Sequence, residues 1–292
     1  MKKILIFLFV SATLFSQDLF SQTATAGQII ISEFRVRGPN GANDEFIEIY
    51  NASGSAHLVV AASGTGYGIA ASDGTTRGSI PNGTIIPAKG HYLLVNSIGY
   101  SLASYPAGNG TTATGDATYA TDIPDNAGIA IFNNNTGGAS YSLANRLDAV
   151  GSTSEANPIY KEGTGYPAIV PFSIDYCWRR KTYSTGVPQD SDNNATDLEF
   201  DDTNGTSAGG GQRLGAPGPE NLSSPISRNS GIVVHRLDES VPANLPPNMV
   251  RDYVSDPANN STFGTLDLRY RITNNTGGNL TRLRFRIDSI CS

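Results

Sequence analysis

The sequence predicts an all-β fold, a sandwich or a barrel, and three observations carry this prediction. The chain has 32 glycines and 16 prolines among 292 residues, and only 16% of its residues are charged. This composition suits short strands joined by tight turns and differs from that of long helices. Apolar residues recur in strand-length runs bounded by turn formers. The hydrophobic content of 38% is enough for a sandwich, in which alternate strand residues face the core.

Six predicted strands follow one another in the first half of the chain. They are the runs 29–34, 45–50, 84–86, 91–95, 128–132 and 147–150. Turn-forming runs separate them, at residues 38–41 (GPNG), 73–74 (DG), 81–83 (PNG) and 133–138 (NNNTGG). Gly and Asn in such runs adopt the positive φ angles that reverse a chain between strands. Two longer polar stretches, 103–121 and 184–211, are predicted to be irregular excursions.

The N-terminus predicts export from the cell. Lys2 and Lys3 precede the apolar run 4–10, and the small residues of 23–27 (TATAG) follow it. This order is typical of a secretory signal peptide, which we place at residues 1–26. The apolar run is shorter than the roughly 20 residues of a membrane-spanning helix. We therefore expect a secreted, extracellular or cell-surface protein without a transmembrane segment after signal removal.

Composition then predicts two domains in the remaining chain. Residues 27–221 form the expected β-sandwich domain, and the Pro- and Ser-rich residues 222–230 form a linker. Residues 231–292 begin a new strand pattern and end in a hairpin pattern at 266–272 and 280–287. Roughly 60 residues are too few for a stable sandwich. We therefore expect a partial second β-sandwich domain and a chain that continues beyond Ser292.

Several motifs, taken in order, carry a family resemblance. They are 31–34 (ISEF), 44–51 (DEFIEIYN), 86–95 (IPAKGHYLLV), 177–180 (CWRR), 190–194 (DSDNN) and 214–221 (LGAPGPEN). Together they resemble the lamin tail domain in its bacterial secreted form, over residues 28–221. The resemblance implies an immunoglobulin-like β-sandwich without catalytic residues, used for interaction or tethering. Where that family commonly has a Gly-Trp pair, this chain has 61–69 (AASGTGYGI), so either Tyr67 takes the core position or the strand is displaced.

Charge and motif spacing argue against most chemical functions. The net charge of −6 and the pI near 5.0 make nucleic acid an unlikely partner. His57, His91 and His235 are scattered without a zinc spacing, and we expect surface or strand histidines. Serines are abundant, but any Ser-His-Asp triad drawn from them would be arbitrary. We therefore predict no catalytic, cofactor-binding or metal-binding residues, and no cofactor.

Two groups of acidic residues bear on this prediction. Glu33, Glu45 and Glu48 are expected to be solvent-facing strand carboxylates, with Glu45 and Glu48 on opposite faces. The run 190–201 is expected to be an Asx-rich turn. Calcium binding by this run is the alternative. It departs from an EF-hand because Ala195 stands where Gly is needed and Asp201 where Glu is needed.

Basic and sulfur-containing residues receive structural interpretations. Trp178 is expected in the core, with the cations of residues 179–181 solvated, although a site for an acidic polymer is the alternative. Arg282, Arg284 and Arg286 share one predicted strand face, which we expect to be exposed to solvent. Two distant cysteines, Cys177 and Cys291, are no disulfide framework, and their pairing stays open.

The sequence therefore predicts a non-enzymatic, secreted or cell-surface binding and tethering module. Its ligand would be an envelope component, a polysaccharide or a protein, bound by loops on a rigid scaffold. The alternative is an accessory targeting region of a larger extracellular hydrolase or nuclease whose catalytic domain lies beyond Ser292.

Overall fold

The fold is that of a computed structural model. It describes residues 22–102, 113–169, 174–183, 186–203, 211, 213–224, 226, 232–259, 261–275 and 277. The described chain is nearly all-β, as the sequence predicts, and contains one short α-helix, α1 (Asn194–Asp197). The 3₁₀ turns are Gly138–Ser140, Leu143–Asn145, Pro158–Tyr160 and Pro257–Asn259. The strands are β1 (Ile29–Arg35), β2 (Phe46–Asn51), β3 (His57–Leu58), β4 (Gly66–Ala71), β5 (Thr76–Pro81), β6 (Ile85–Ile86), β7 (His91–Asn96), β8 (Ala117–Tyr119), β9 (Ile129–Phe132), β10 (Arg146–Val150), β11 (Tyr176–Arg180), β12 (Leu198–Asp202), β13 (Arg213–Leu214), β14 (Ile232–Arg236), β15 (Met249–Asp252), β16 (Thr265–Leu268) and β17 (Tyr270–Asn274).

Two sheets form the sandwich. The larger has seven strands in the order β13-β12-β11-β1-β2-β7-β8, and the smaller has four in the order β10-β9-β4-β5. Neighbouring strands run antiparallel except at β12–β13 and β7–β8, which are parallel. A separate two-stranded ladder joins β3 to β6. Side chains of both large sheets belong to one buried apolar cluster, so the sheets pack face to face.

The core follows the alternation of side chains along the strands. Ile47 and Ile49 of β2 lie in the cluster together with Ile69 of β4 and Ile131 of β9. Tyr67 is fully buried there, which is the first of the two alternatives that the sequence left open. The far face of the larger sheet carries a second buried cluster of Phe46, Leu93, Val95 and Cys177. Many strands are therefore buried on both faces.

The first described residues pack onto this core. Ala24 is buried, and its N–H donates a hydrogen bond to Tyr67 Oη at 2.7 Å. Gly27 N donates to Leu147 O at 3.0 Å. A signal peptide cut after Ala26, which stays a prediction, would remove the first of these contacts. Residues 1–21 of the predicted leader lie outside the described residues.

Strand β1 pairs with β11 in its second half only, and at Ile31 its backbone binds side chains instead of the backbone of β11. Its pairing with β2 shifts register between Ile31 and Glu33, which is the mark of a β-bulge at Ser32. Its pairing with β11 is at Glu33 and Phe34. At Ile31, the N–H donates to Asp148 Oδ2 at 2.5 Å, and the carbonyl accepts from Arg180 Nε at 2.8 Å. Because Asp148 lies in β10 of the smaller sheet, this pair of residues joins the two sheets.

The six predicted strands all coincide with observed strands, but the excursions were predicted less well. Residues 117–119 of the first excursion form β8, and 198–202 of the second form β12. The irregular assignment is wrong there. The acidic sequence of β12 (LEFDD) hides a strand whose five residues are all buried. Residues 103–112 and 204–210 lie outside the described residues.

The C-terminal part forms two separate ladders, β14–β17 and β15–β16. The predicted strand 266–272 is split between β16 and β17, and β17 pairs with β14. Apolar side chains are exposed here, and Phe263 reaches 83% exposure. The predicted strand 280–287, with Arg282, Arg284 and Arg286, lies outside the described residues, as does Cys291.

We expect Arg180→Met to destabilise the sandwich by about 3–5 kcal/mol, because the change leaves buried carboxylates without their cation. Urea unfolding followed by the fluorescence of Trp178, the single tryptophan, measures this loss. The matched control is Arg37→Met, since Arg37 pairs with Asp125 in a partly exposed bidentate contact at 3.0 and 3.1 Å. The control should lose about 1 kcal/mol or less. Equal losses in the two variants would contradict the role of Arg180.

Candidate functional site

The outer face of the seven-stranded sheet is covered by residues 215–224, here called the covering segment. Gly218 N donates to Glu33 Oε1 at 2.7 Å, and Glu220 N donates to Glu48 Oε2 at 2.5 Å. Pro217 and Pro219, which carry no N–H, are buried and each precedes one of these donors. The alternation of proline with a donor residue therefore places each available N–H on a carboxylate of the sheet.

The covering segment is also held at its far end. Leu222 N donates to Asp116 Oδ2 at 3.0 Å, and the same oxygen accepts from Leu93 N at 2.9 Å. Asn221 Nδ2 donates to Thr114 O at 2.8 Å. Residue 222, which the sequence assigns to the linker, is thus held against the sandwich. Residues 225 and 227–230 of the predicted linker lie outside the described residues.

The expectation that Glu33, Glu45 and Glu48 face solvent is wrong. Their exposed fractions are 7%, 0% and 4%. The covering segment buries Glu33 and Glu48. Glu45 contacts other partners, because its Oε1 accepts from Ile123 N at 2.7 Å and its Oε2 accepts from Asn96 Nδ2 at 2.8 Å. Burial raises the pKa of Glu45 to about 8.

All three histidines lie in strands, and their surroundings differ. His91 Nε2 lies 3.7 Å from Glu48 Oε1 and 3.6 Å from Glu220 Oε2. Its ring packs against Tyr50 with the ring centroids 5.0 Å apart. His57 Nε2 contacts Tyr67 Oη at 2.9 Å, and burial lowers the pKa of this histidine. His235 is exposed.

The run 190–201 contains the predicted Asx turn. Asn193 Oδ1 accepts from Ala195 N at the start of α1, and Asp197 Oδ2 accepts from Ser191 N at 2.8 Å. Asp192, with φ of 56°, points away as an exposed residue. The carboxylates of Asp190 and Asp197 instead face the guanidinium of Arg180. Two of the oxygens in this run, Asp190 Oδ1 and Asp197 Oδ2, lie 3.2 and 3.5 Å from Arg180, a cation of the chain, and calcium binding by the run stays a hypothesis.

Arg180 is the centre of a buried ionic network. Its nitrogens lie 2.6 Å from Asp148, 3.2 Å from Asp190, 3.5 Å from Asp197 and 3.8 Å from Glu162. Burial and the charge of Asp148 raise the pKa of Glu162 to about 10, and burial raises that of Asp190 to about 6. The prediction that the cations beside Trp178 are solvated is therefore wrong for Arg180. Arg180 is buried among carboxylates of this network that lie in the smaller sheet and in the run 190–201.

The remaining members of the run 177–180 are also structural. Trp178 packs against Tyr166 and Phe200, with centroid distances of 4.5 and 5.0 Å. Arg179 pairs with Glu199 at 2.5 Å and with Asp201. Its charge is thus neutralised within the sheet, which leaves little for an acidic polymer. Cys177 is buried, and burial raises the pKa of its thiol well above the usual value.

One crevice beside Trp178 is too small for a ligand larger than a water molecule. This crevice, lined by Val36, Tyr166, Tyr176 and Trp178, has a volume of about 10 Å³, the space of about one water molecule. None of the helices in the described part of the chain has the length and apolarity that a bilayer crossing requires.

Comparison with known proteins identifies no relative. A scan against protein-family models, a search of curated proteins and a search of solved structures found no match to this chain. The lamin tail resemblance and the immunoglobulin-like topology therefore stay predictions.

We expect the buried Glu45 carboxyl to make stability depend on pH. Its pKa of about 8 in the folded chain lies above the unfolded value near 4.3, so the folded chain binds the extra proton between these limits. Stability from this group is full below pH about 4 and is lost as the pH rises to about 8. The wild type should therefore lose on the order of 4 kcal/mol of unfolding free energy across this range, and Glu45→Gln should not show this loss.

Urea unfolding at pH 5 and pH 8 measures this slope in the wild type and the variant. The control is Glu239→Gln, because Glu239 is exposed and binds Arg236 at the surface. A stability difference between wild type and Glu45→Gln that is the same at both pH values would show that Glu45 does not carry the slope.

Proposed function

We propose that the chain is a non-enzymatic secreted or cell-surface module that binds or tethers, built on a lamin-tail-like, immunoglobulin-like sandwich. The observation that carries the proposal is the use of its ionisable groups. Most of the described carboxylates that the sequence offers as chemical candidates, two of the three histidines and Arg180 lie inside the scaffold and bind structural partners. Glu45 and Arg180 are the clearest examples, because both are buried and bind groups of other strands or turns.

This pattern argues for binding over catalysis. A general acid, a general base or a nucleophile must reach a substrate in a cleft. The crevice beside Trp178 has a volume of about 10 Å³, which is too small for a substrate. A rigid scaffold with turns at its ends instead suits recognition by surface loops. The exposed turn around Asp73 and Gly74, and the exposed Ile98 and Leu143, are on such surfaces.

The distribution of positive charge supports a partner other than nucleic acid. Arg35 is fully buried and pairs with Asp44 and Asp175. Arg179 and Arg180 likewise bind carboxylates of the sandwich. These cations neutralise the scaffold and form no basic face for phosphates. An envelope component, a polysaccharide or a protein is the ligand class that we propose, in keeping with the predicted signal peptide.

Co-sedimentation of the full secreted chain with bacterial envelopes and with insoluble polysaccharides tests this proposal. DNA at two salt concentrations is the control. We expect binding to an envelope or a glycan that survives high salt, because exposed loops and not charge would provide the affinity. Binding to DNA alone, weakening with salt, would contradict the ligand class, and failure on every surface would favour a structural spacer.

A further inference from the structure

We propose that Glu48, His91 and Glu220 form a binding site for a divalent transition-metal ion, with zinc as the preferred probe. Glu48 lies in β2, His91 in β7 and Glu220 in the covering segment. One ligand atom from each residue lies within 4.8 Å of the others. The ion would join the covering segment to the sheet beneath it.

The distances suit ligands around one ion. His91 Nε2 lies 3.7 Å from Glu48 Oε1 and 3.6 Å from Glu220 Oε2. These separations exceed a hydrogen bond of about 2.7–3.2 Å between nitrogen and oxygen. Ligands bound tetrahedrally at about 2.0–2.2 Å from zinc lie about 3.3–3.5 Å apart. A small inward movement of the side chains would therefore bring all three to zinc.

The carboxylate of Glu48 is already oriented for this role. Ser32 Oγ donates to Glu48 Oε1 at 2.6 Å, and Glu220 N donates to Glu48 Oε2 at 2.5 Å. Hydrogen bonds of this kind fix the direction of metal-binding carboxylates. The second contact also places Glu220 beside His91. Because the Glu220 N–H binds Glu48, the carboxylate of Glu220 lies near His91, with Oε2 3.6 Å from His91 Nε2. The covering segment thus delivers the third ligand.

Charge and donor type favour a transition metal over calcium. Two carboxylates flank His91 in a buried region, and a divalent ion would balance their charge. Imidazole nitrogen suits zinc and its neighbours, whereas calcium prefers oxygen ligands. The competing arrangement is a protonated His91 held between the two carboxylates without metal.

Calorimetric titration of the chelator-dialysed full chain with Zn²⁺ distinguishes a metal site from a protonated His91 held without metal. We expect one zinc per chain, and Glu220→Gln should weaken binding at least tenfold while keeping the Glu220 N–H. Glu220 suits this test because its side chain is 13% exposed at the rim of the cluster, so the variant should fold. Trp178 fluorescence verifies the fold of each variant.

His235→Asn is the matched control, since His235 lies beside Glu239 at 3.3 Å on the surface. It should bind zinc like the wild type, and His91→Asn should not bind. A visible spectrum of Co²⁺ in place of Zn²⁺, altered by Glu220→Gln, would place the ion at this cluster. No zinc binding by the wild type, unchanged binding by Glu220→Gln, or loss of binding in His235→Asn would overturn the proposal.

Discussion

The contact between Arg180 and Asp148 is the interaction on which the two-sheet arrangement depends. It links β11 of the larger sheet to β10 of the smaller one, and both residues also bind the backbone of Ile31 in β1. Buried ion pairs contribute little net stability, because desolvation offsets attraction. Removing one partner is costly, because it leaves the other charge buried without a counter-ion. We therefore infer that this pair sets the alignment of the strands more than it adds to the free energy of unfolding. The bulge in β1 at Ser32 lies beside this contact.

The outer face of the larger sheet also contains buried charged groups, but backbone N–H groups bind them there. Its carboxylates are covered by a segment whose only N–H groups between residues 217 and 220 point to Glu33 and Glu48. Proline between the donors removes N–H groups that would otherwise lie buried without a partner. The motif 214–221 thus has a physical reason for its spacing, which is independent of any family. If zinc binds at Glu220, the same segment would also carry a ligand.

Local pattern predicts part of this structure and misses the rest for one reason. Runs of β-branched residues bounded by Gly and Asn predict strands such as β1 and β9. The core position of Trp178 follows from its residue type, and that of Tyr67 was an alternative that the lamin tail resemblance implied. Alternation also tells which face a residue occupies. It cannot tell what covers that face, so the burial of Glu33 and Arg180 was missed. Strand β12 was missed because its acidic residues resemble a turn, and their cation partner, Arg179, lies in another strand.

The candidate cluster is missed for the same reason. Glu48, His91 and Glu220 belong to three distant segments, and no local spacing connects them. The signals available in the sequence were the histidine at the start of β7 and the glutamate after two prolines, and neither indicates a metal alone. Only the pairing of β2 with β7 and the path of the covering segment bring them together.

Amide hydrogen exchange at Ile31 tests the central claim most directly. The account predicts that the Ile31 N–H, bound by Asp148, exchanges as slowly as the core amides and opens only with the whole sandwich. It also predicts faster exchange at Ile31 in Asp148→Asn, with neighbouring strands still protected. Rapid exchange at Ile31 in the wild type would contradict the role assigned to Asp148 and Arg180.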